Sequence, residues 1–306
     1  MPISFTAISK YLNCPEEYNL YYNEKLRPNQ INSALYFGSA IDRAFSTLLT
    51  TRNLDKTLTT FNTVFVNDVN ILYNETDEDP ELLTKDQLAS PGYYSMKEKG
   101  TVILTTLYNE VLPRIKKVIA LQERITITND NGESLPIIAD LVCEWEDGSI
   151  ILFDLKTSII EYEKDSARKS MQLSLYYHFL KQKYNISTIG FIVARKILKK
   201  NRIKTCSECG FDGSGGNHRT CPQKRNNERC NAEWIQTIRP EAYLQIIINE
   251  PNEHFINLML DTTDKVSDNI QKKNYFKNLT ACKRGKRVCD YYGLCHNNDM
   301  SGLVKK

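Results

Sequence analysis

Apolar residues recur with a helical period near the start of the chain and with a period of two in its middle. Residues 3–25 place Tyr11, Leu12, Tyr18, Tyr21 and Tyr22 at helical spacing, with Ser4 and Thr6 as caps and Pro15 at the first turn of a second helix. Ser33 to Leu49, SALYFGSAIDRAFSTLL, predicts a strong helix. Gly38 inside it costs stability relative to alanine, which signals close packing of another backbone; Asp42 lies one turn further on the same face. Residues 55–73 and 95–120 predict two further helices, the second ended or kinked at Pro113, and the acidic stretch Glu75 to Glu81 reads as a solvated loop. Ala120 to Thr128, ALQERITIT, alternates as a strand with Glu123 near its start. Ala167 to Lys183 predicts an amphipathic helix with Gln172 and Tyr176 one turn apart, Ile189 to Leu198 a buried strand, and 240–273 a return to helix.

Between these lies Ile138 to Ser158, IADLVCEWEDGSIILFDLKTS, two β-branched apolar runs joined by a polar tip containing Asp147-Gly148: a hairpin. Each run carries a carboxylate where a strand prefers an apolar residue, Asp140 in the first and Asp154 in the second, and Lys156 follows two residues on. Charges in buried strands are costly unless paired or bound to a metal. A two-residue turn sets Asp140 opposite Leu155, away from Asp154. A three-residue loop, Glu146-Asp147-Gly148, with Gly148 left-handed in a bulge, sets Asp140 directly opposite Asp154 and leaves Lys156 on the same face. The second register is the expectation. Two facing carboxylates bind a hard divalent cation, and the ammonium beside them orients a water or steadies negative charge. The alternative is an ion-pair cluster on an edge hairpin.

Composition narrows the class without naming it. The chain has 306 residues, 41% hydrophobic and 25% charged, an ordinary globular balance, and a net charge of +3 that is too small to argue nucleic-acid binding by itself. No apolar run reaches membrane-spanning length and the N-terminus lacks a basic-then-apolar signal, so a cytoplasmic protein without membrane contact is expected. Nine cysteines in that setting point to metal ligands rather than disulfides.

Four of them, Cys206, Cys209, Cys221 and Cys230, fall in 199–234, a basic, glycine-rich segment with too few apolar residues for a core of its own. Four thiolates around Zn²⁺ would staple it as a closed, non-catalytic knuckle, with His218 a spare ligand. Cys282, Cys289 and Cys295 form a second group, one ligand short of four. Cys143 sits in a strand as a small core residue, which leaves Cys14, at an exposed helix junction, as the missing ligand. An iron–sulfur cluster and zinc both suit that set. Around it, Lys272, Lys273, Lys277 and Lys283 interleave with Tyr275, Phe276, Tyr291 and Tyr292, a mixture suited to single-stranded nucleic acid.

In order along the chain stand Ser9, Cys14 and Pro15; Gly38 and Asp42; Asp140; Asp154 and Lys156; Gln172 and Tyr176; and the trailing cysteine trio. This ordered set resembles the PD-(D/E)XK nuclease superfamily, specifically its RecB-like branch with an iron–sulfur clasp, which includes helicase-nuclease repair subunits, CRISPR adaptation nucleases and phage recombination exonucleases. Asp42 stands where that branch usually has a histidine, and Glu123 matches a glutamate seen in part of the family. The resemblance implies an α/β fold: a restriction-endonuclease-like core, with a mixed central sheet flanked by helices, and a zinc-ribbon-like insertion. It implies one nuclease domain over 1–306, with 199–234 as the insertion and 275–296 as a clasp joined to Cys14.

The implied activity is hydrolysis of DNA phosphodiesters, as an exonuclease acting on single-stranded or duplex ends in recombination, repair or phage DNA processing. Asp140, Asp154, the Leu155 carbonyl and Asp42 would bind Mg²⁺ or Mn²⁺, Lys156 would position or deprotonate a water, and Gln172 and Tyr176 would hold substrate or orient Lys156. A [4Fe–4S] cluster on Cys14, Cys282, Cys289 and Cys295 and Zn²⁺ on the other four cysteines complete the cofactors. A helicase or recombinase would be the protein partner. The rival reading is a degenerate fold that grips DNA ends without cutting them, and a redox sensor is a third.

Overall fold

A computed structural model of the chain describes residues 4–29, 33–76, 96–128, 134–213, 219–225, 228–284 and 287–306. The acidic stretch from 77 onward and His218 fall outside these residues. At the N-terminus, the Ser4 hydroxyl accepts from the Ala7 amide and caps α1 (Phe5–Asn13). Pro15, whose ring cannot continue that helix, opens a short α2 (Pro15–Tyr18) that runs into a π-turn over Asn19–Asn23. β1 (Leu26–Pro28) follows, then the long pair α3 (Ser33–Thr51) and α4 (Leu54–Thr76), and α5 (Met96–Thr106).

The helix expected over 95–120, ended or kinked at Pro113, ends there. It widens into a π-turn at Leu107–Val111, tightens to a 3₁₀ turn at Leu112–Arg114 around Pro113, and at Ile115 becomes β2 (Ile115–Thr128). Proline removes the amide a helix needs, and the branched Ile115, Val118 and Ile119 favour the pleated surface beyond it.

Next come β3 (Ser134–Trp145), β4 (Ile150–Ser158), α6 (Met171–Tyr184) and β5 (Thr188–Arg195). α6 begins four residues later than expected because Ser170 caps it, accepting from the Leu173 amide at 3.2 Å. The insertion is carried on a two-stranded ribbon, β6 (Lys199–Cys206) against β9 (Trp234–Glu241), with the small hairpin β7 (Lys224–Arg225) and β8 (Glu228–Arg229) between them. The segment expected to return to helix at 240 first forms β10 (Leu244–Asn249), an isoleucine-rich edge strand. Asn252 then caps α7 (Glu253–Gln271). The C-terminal part holds the hairpin β11 (Lys283–Arg284) and β12 (Arg287–Val288), α8 (Tyr292–Asn297), and β13 (Leu303–Lys305), which pairs antiparallel with β1.

The central sheet has the order β10-β5-β4-β3-β2. Its β4–β5 pair is parallel, with α6 as the crossover, and its other pairs are antiparallel. One face packs on α3, α4 and α5 through Phe37, Ile41, Phe61, Leu104, Trp145 and Phe153. The other packs on α1, α6 and α7 through Ile8, Val142, Leu152, Leu173, Val193 and Val266. A mixed sheet with helices on both faces is therefore the fold, as expected. Gly100 lets α5 close on α4, because a Cβ there would lie 2.0 Å from the Phe61 ring. Gly38 does meet a neighbour, but it is the Thr157 side chain of β4, 3.4 Å from where a Cβ would sit, and not a backbone.

Candidate active site

The site begins with the turn between β3 and β4. Trp145 and Ser149 close a three-residue loop, Glu146-Asp147-Gly148: the Trp145 amide donates to the Ser149 carbonyl and the Gly148 amide to the Trp145 carbonyl, both at 2.9 Å. Gly148 sits at φ +89°, which a side chain would disfavour. The ladder runs from Glu144↔Ile150 to Leu141↔Phe153, and the same register places Asp140 opposite Asp154 one step beyond its last pair. At that point the Asp140 carboxylate replaces the next ladder bond, its Oδ2 accepting from the Leu155 amide at 3.0 Å.

Asp154 is 3% exposed. Its Oδ2 lies 2.6 Å from Lys156 Nζ, a buried ion pair, and meets no other donor. Burial pushes the Asp154 carboxyl up to about 7; Lys156 opposes the shift, and the charges of Asp140 and Asp42 reinforce it. Asp140 is raised by burial too, against the Leu155 amide and Lys156. For Lys156, burial works downward but is outweighed by Asp154 and Asp140, so its ammonium is held above the usual lysine range. Lys156 Nζ also donates to Gln172 Oε1 on α6 at 3.2 Å. Tyr176, one turn further along α6, is buried, bonds to the Gln172 side chain, and has its hydroxyl pKa raised mainly by burial.

The third acid comes from the opposite layer. Asp42 on α3 is pushed up to about 6, first by burial and then by the charge of Asp140. Both its oxygens accept from Gln122 Nε2, each at 3.1 Å. Gln122 had no role in the sequence reading. A polar residue in an alternating strand reads as solvent-facing, and nothing local announces that its backbone turns left-handed, at φ +49°. Glu123 beside it takes no part: it stands opposite Ala139 in the ladder and forms an ion pair with Lys183 at 2.8 Å, which lowers its pKa. The structure thus brings together Asp42, Asp140, Asp154, Lys156, Gln172 and Tyr176, with the Leu155 backbone held by Asp140, and leaves Glu123 out.

The chemistry of this donor set suits a hard cation, although the three carboxylates do not all place an oxygen within 4.8 Å of one another. Three acids with raised pKa values beside a single ammonium are short of positive charge.

The cysteines form two separate groups. The sulfurs of Cys206, Cys209, Cys221 and Cys230 all lie within 4.8 Å of one another, with Cys206–Cys230 at 3.6 Å and Cys209–Cys221 at 3.5 Å. Bonds of 2.3 Å in a tetrahedron set sulfurs about 3.8 Å apart, so one thiophilic ion fits the quartet. Cys14, Cys282, Cys289 and Cys295 instead line a small common cavity, together with Lys277, Tyr291 and Tyr292. Among the described residues only the first quartet gathers as tightly as a single ion requires. Cys14 is buried rather than exposed, because the Asn278 amide donates to its sulfur and Tyr18 stacks on Tyr275 beside it. Cys143 is a core residue, its thiol pushed to about 12 by burial.

No helix among the described residues is long and apolar enough to cross a membrane. Compared with known proteins, residues 2–296 match the family model of the PD-(D/E)XK nuclease superfamily. Among curated proteins nothing matches the chain significantly.

Proposed function

The chain belongs to the PD-(D/E)XK nuclease superfamily, and from that premise we propose that it is a metal-dependent exonuclease acting on DNA ends. The observation that carries this reading is the meeting of Asp42, Asp140 and Asp154 beside Lys156, where β3 and β4 cease to pair. Support for action at ends comes from the ordered motifs shared with RecB-like exonucleases, including the four cysteines around the C-terminal cavity. Recombination, repair or phage DNA processing is the setting those relatives suggest, with a helicase or recombinase as partner.

Bound to Asp140, Asp154, the Leu155 carbonyl and Asp42, Mg²⁺ or Mn²⁺ supplies Lewis acidity, lowering the pKa of a water and neutralising charge on the scissile phosphate. The chain's own contribution is order and charge. Asp140 keeps the Leu155 peptide in place through its hydrogen bond to the amide. Lys156, anchored between Asp154 and Gln172, holds its proton more firmly than a free lysine, which suits an ammonium that orients water and steadies a growing negative charge rather than a base. Tyr176 backs Gln172, so α6 keeps the ammonium from swinging into solvent. Zn²⁺ on the insertion quartet and a [4Fe–4S] cluster on the C-terminal quartet are structural in this reading. Residues 1–306 then form one nuclease domain, with 199–234 an insertion and 275–296 a clasp to Cys14.

End-labelled single- and double-stranded DNA incubated with Mg²⁺ or Mn²⁺ tests the proposal. The expected result is stepwise loss of label from ends, abolished by EDTA and reduced by roughly 10³-fold or more in Asp154→Ala and Lys156→Ala that melt like the parent. Full activity in either variant overturns the assignment. DNA binding without cleavage under every metal favours an end-binding module instead.

A further inference from the structure

We infer that Gln122 is a positioning residue that fixes the Asp42 carboxylate as the third oxygen donor of the cation site. The inference rests on the metal-site reading above and extends it to a residue outside the shared motifs.

Gln122 occupies an unusual place. Seven described non-glycine residues have positive φ, and Gln122 alone lies inside a strand; the other six lie at helix ends or in connections. The β2–β3 ladder pairs Leu121 with Leu141 and Glu123 with Ala139, and passes over the residue between. In that register the missing pair is Gln122 with Asp140. The strand therefore gives up regular pairing at the one step facing an active-site acid. A left-handed backbone at a non-glycine residue is held only where the surroundings dictate it, and such residues gather at functional sites.

The contact itself explains the arrangement. Gln122 Nε2 is 3.1 Å from both Oδ1 and Oδ2 of Asp42, a bifurcated contact that holds the carboxylate group in place from β2. An amide does this without cancelling the charge. A lysine or arginine in its place would neutralise Asp42 and compete with the cation, whereas a neutral donor orients both oxygens and leaves the full negative charge available. Asp42 is thus held from β2, Asp140 by the Leu155 amide and Asp154 by Lys156, so each acid is restrained before any cation draws them together.

Binding of Mn²⁺ to the metal-free full-length protein, read by electron paramagnetic resonance without DNA, tests this directly. Gln122→Leu removes the grip at similar size, and Gln122→Gly removes it while easing the backbone, so loss of fold through strain does not confound both. Each is expected to weaken Mn²⁺ binding by about 10–100-fold. Asp42→Ala is expected to weaken it as much, with no further loss in the Gln122→Leu/Asp42→Ala double variant. In cleavage assays the half-saturating Mn²⁺ concentration should rise by the same factor, while the rate at saturating Mn²⁺ changes less. Unaltered Mn²⁺ affinity in both Gln122 variants overturns the inference, as does unaltered affinity in Asp42→Ala. Either result leaves the nuclease assignment standing if Asp154→Ala still abolishes cleavage. That assignment fails separately, if Asp154→Ala both binds Mn²⁺ and cuts DNA.

Discussion

The two cysteine quartets use the same ligand atoms and join the chain in opposite ways. One draws its sulfurs from 206–230, a single excursion between β6 and β9, and gathers them within 4.8 Å. The other takes one sulfur from the α1–α2 junction and three from the C-terminal segment, and sets them around a small cavity without drawing them as close as the first. A tight local quartet organises a segment that has little core of its own. The non-local quartet, in the proposed reading, closes a long loop and would restrain the α1–α2 junction against the C-terminal segment. Neighbouring contacts point the same way: Tyr11 donates to the Asn274 carbonyl, Tyr291 to the Leu26 carbonyl, and β13 pairs with β1. Where ligands lie in sequence decides what a metal group stabilises.

Removing one ligand from each site is the strongest way to break that contrast. If a [4Fe–4S] cluster sits there as proposed, anaerobically purified protein shows a broad visible absorption, and Cys14→Ser is expected to remove it and to lower Tm by about 10 °C or more. An unchanged melting curve and spectrum would show that the cavity does not tie the ends. Cys221→Ser should release one zinc per chain, measured by elemental analysis, yet lower Tm by only about 2–4 °C and leave cleavage in place, because the sheet gains little from the ribbon.

The carboxylate centre sharpens the comparison from the side of burial. Asp42 and Asp154 carry folded-state pKa values of about 6 and 7, against 3.8 for an ordinary aspartate. Between those limits the folded protein binds more protons than the unfolded chain, so these groups contribute less stability as pH rises through the window. In EDTA the Tm of the parent protein should therefore fall by about 2 °C or more from pH 5 to pH 8. Asp154→Asn should flatten that slope and melt higher at pH 8, while cutting no DNA. A parent Tm that climbs steadily from pH 5 to pH 8 would contradict the assigned environments.

Much of this arrangement was legible in the chain itself, for local reasons. The Asp147-Gly148 tip and the parity of the apolar positions determine the loop length, and loop length determines which residue faces Asp154. The pairing of Lys156 with Gln172 was implied by the family resemblance, since the periods of a strand and a helix do not by themselves bring the two together. What the sequence hid was tertiary. Gln122 turns left-handed under the pull of Asp42, a residue 80 positions earlier in the chain, and Glu123 was the wrong neighbour because side chains alternate across a strand. The helix does end at Pro113, one of the two expectations there, but the strand then starts at Ile115 rather than 120, because branched residues after Pro113 read almost equally well at either period. At 240–249 the sheet edge offered by β5 overrode a helical reading of an isoleucine run.

The cavity lined by Cys14 and the three later cysteines also sets a timetable. Cys14 is translated well before Cys282, Cys289 and Cys295, with the sheet and its hairpin made between them. Whatever group the cavity takes enters after the sheet and its hairpin have had time to fold. A chain broken off before residue 282 would carry Asp42, Asp140, Asp154 and Lys156 and lack three of the four sulfurs around that cavity.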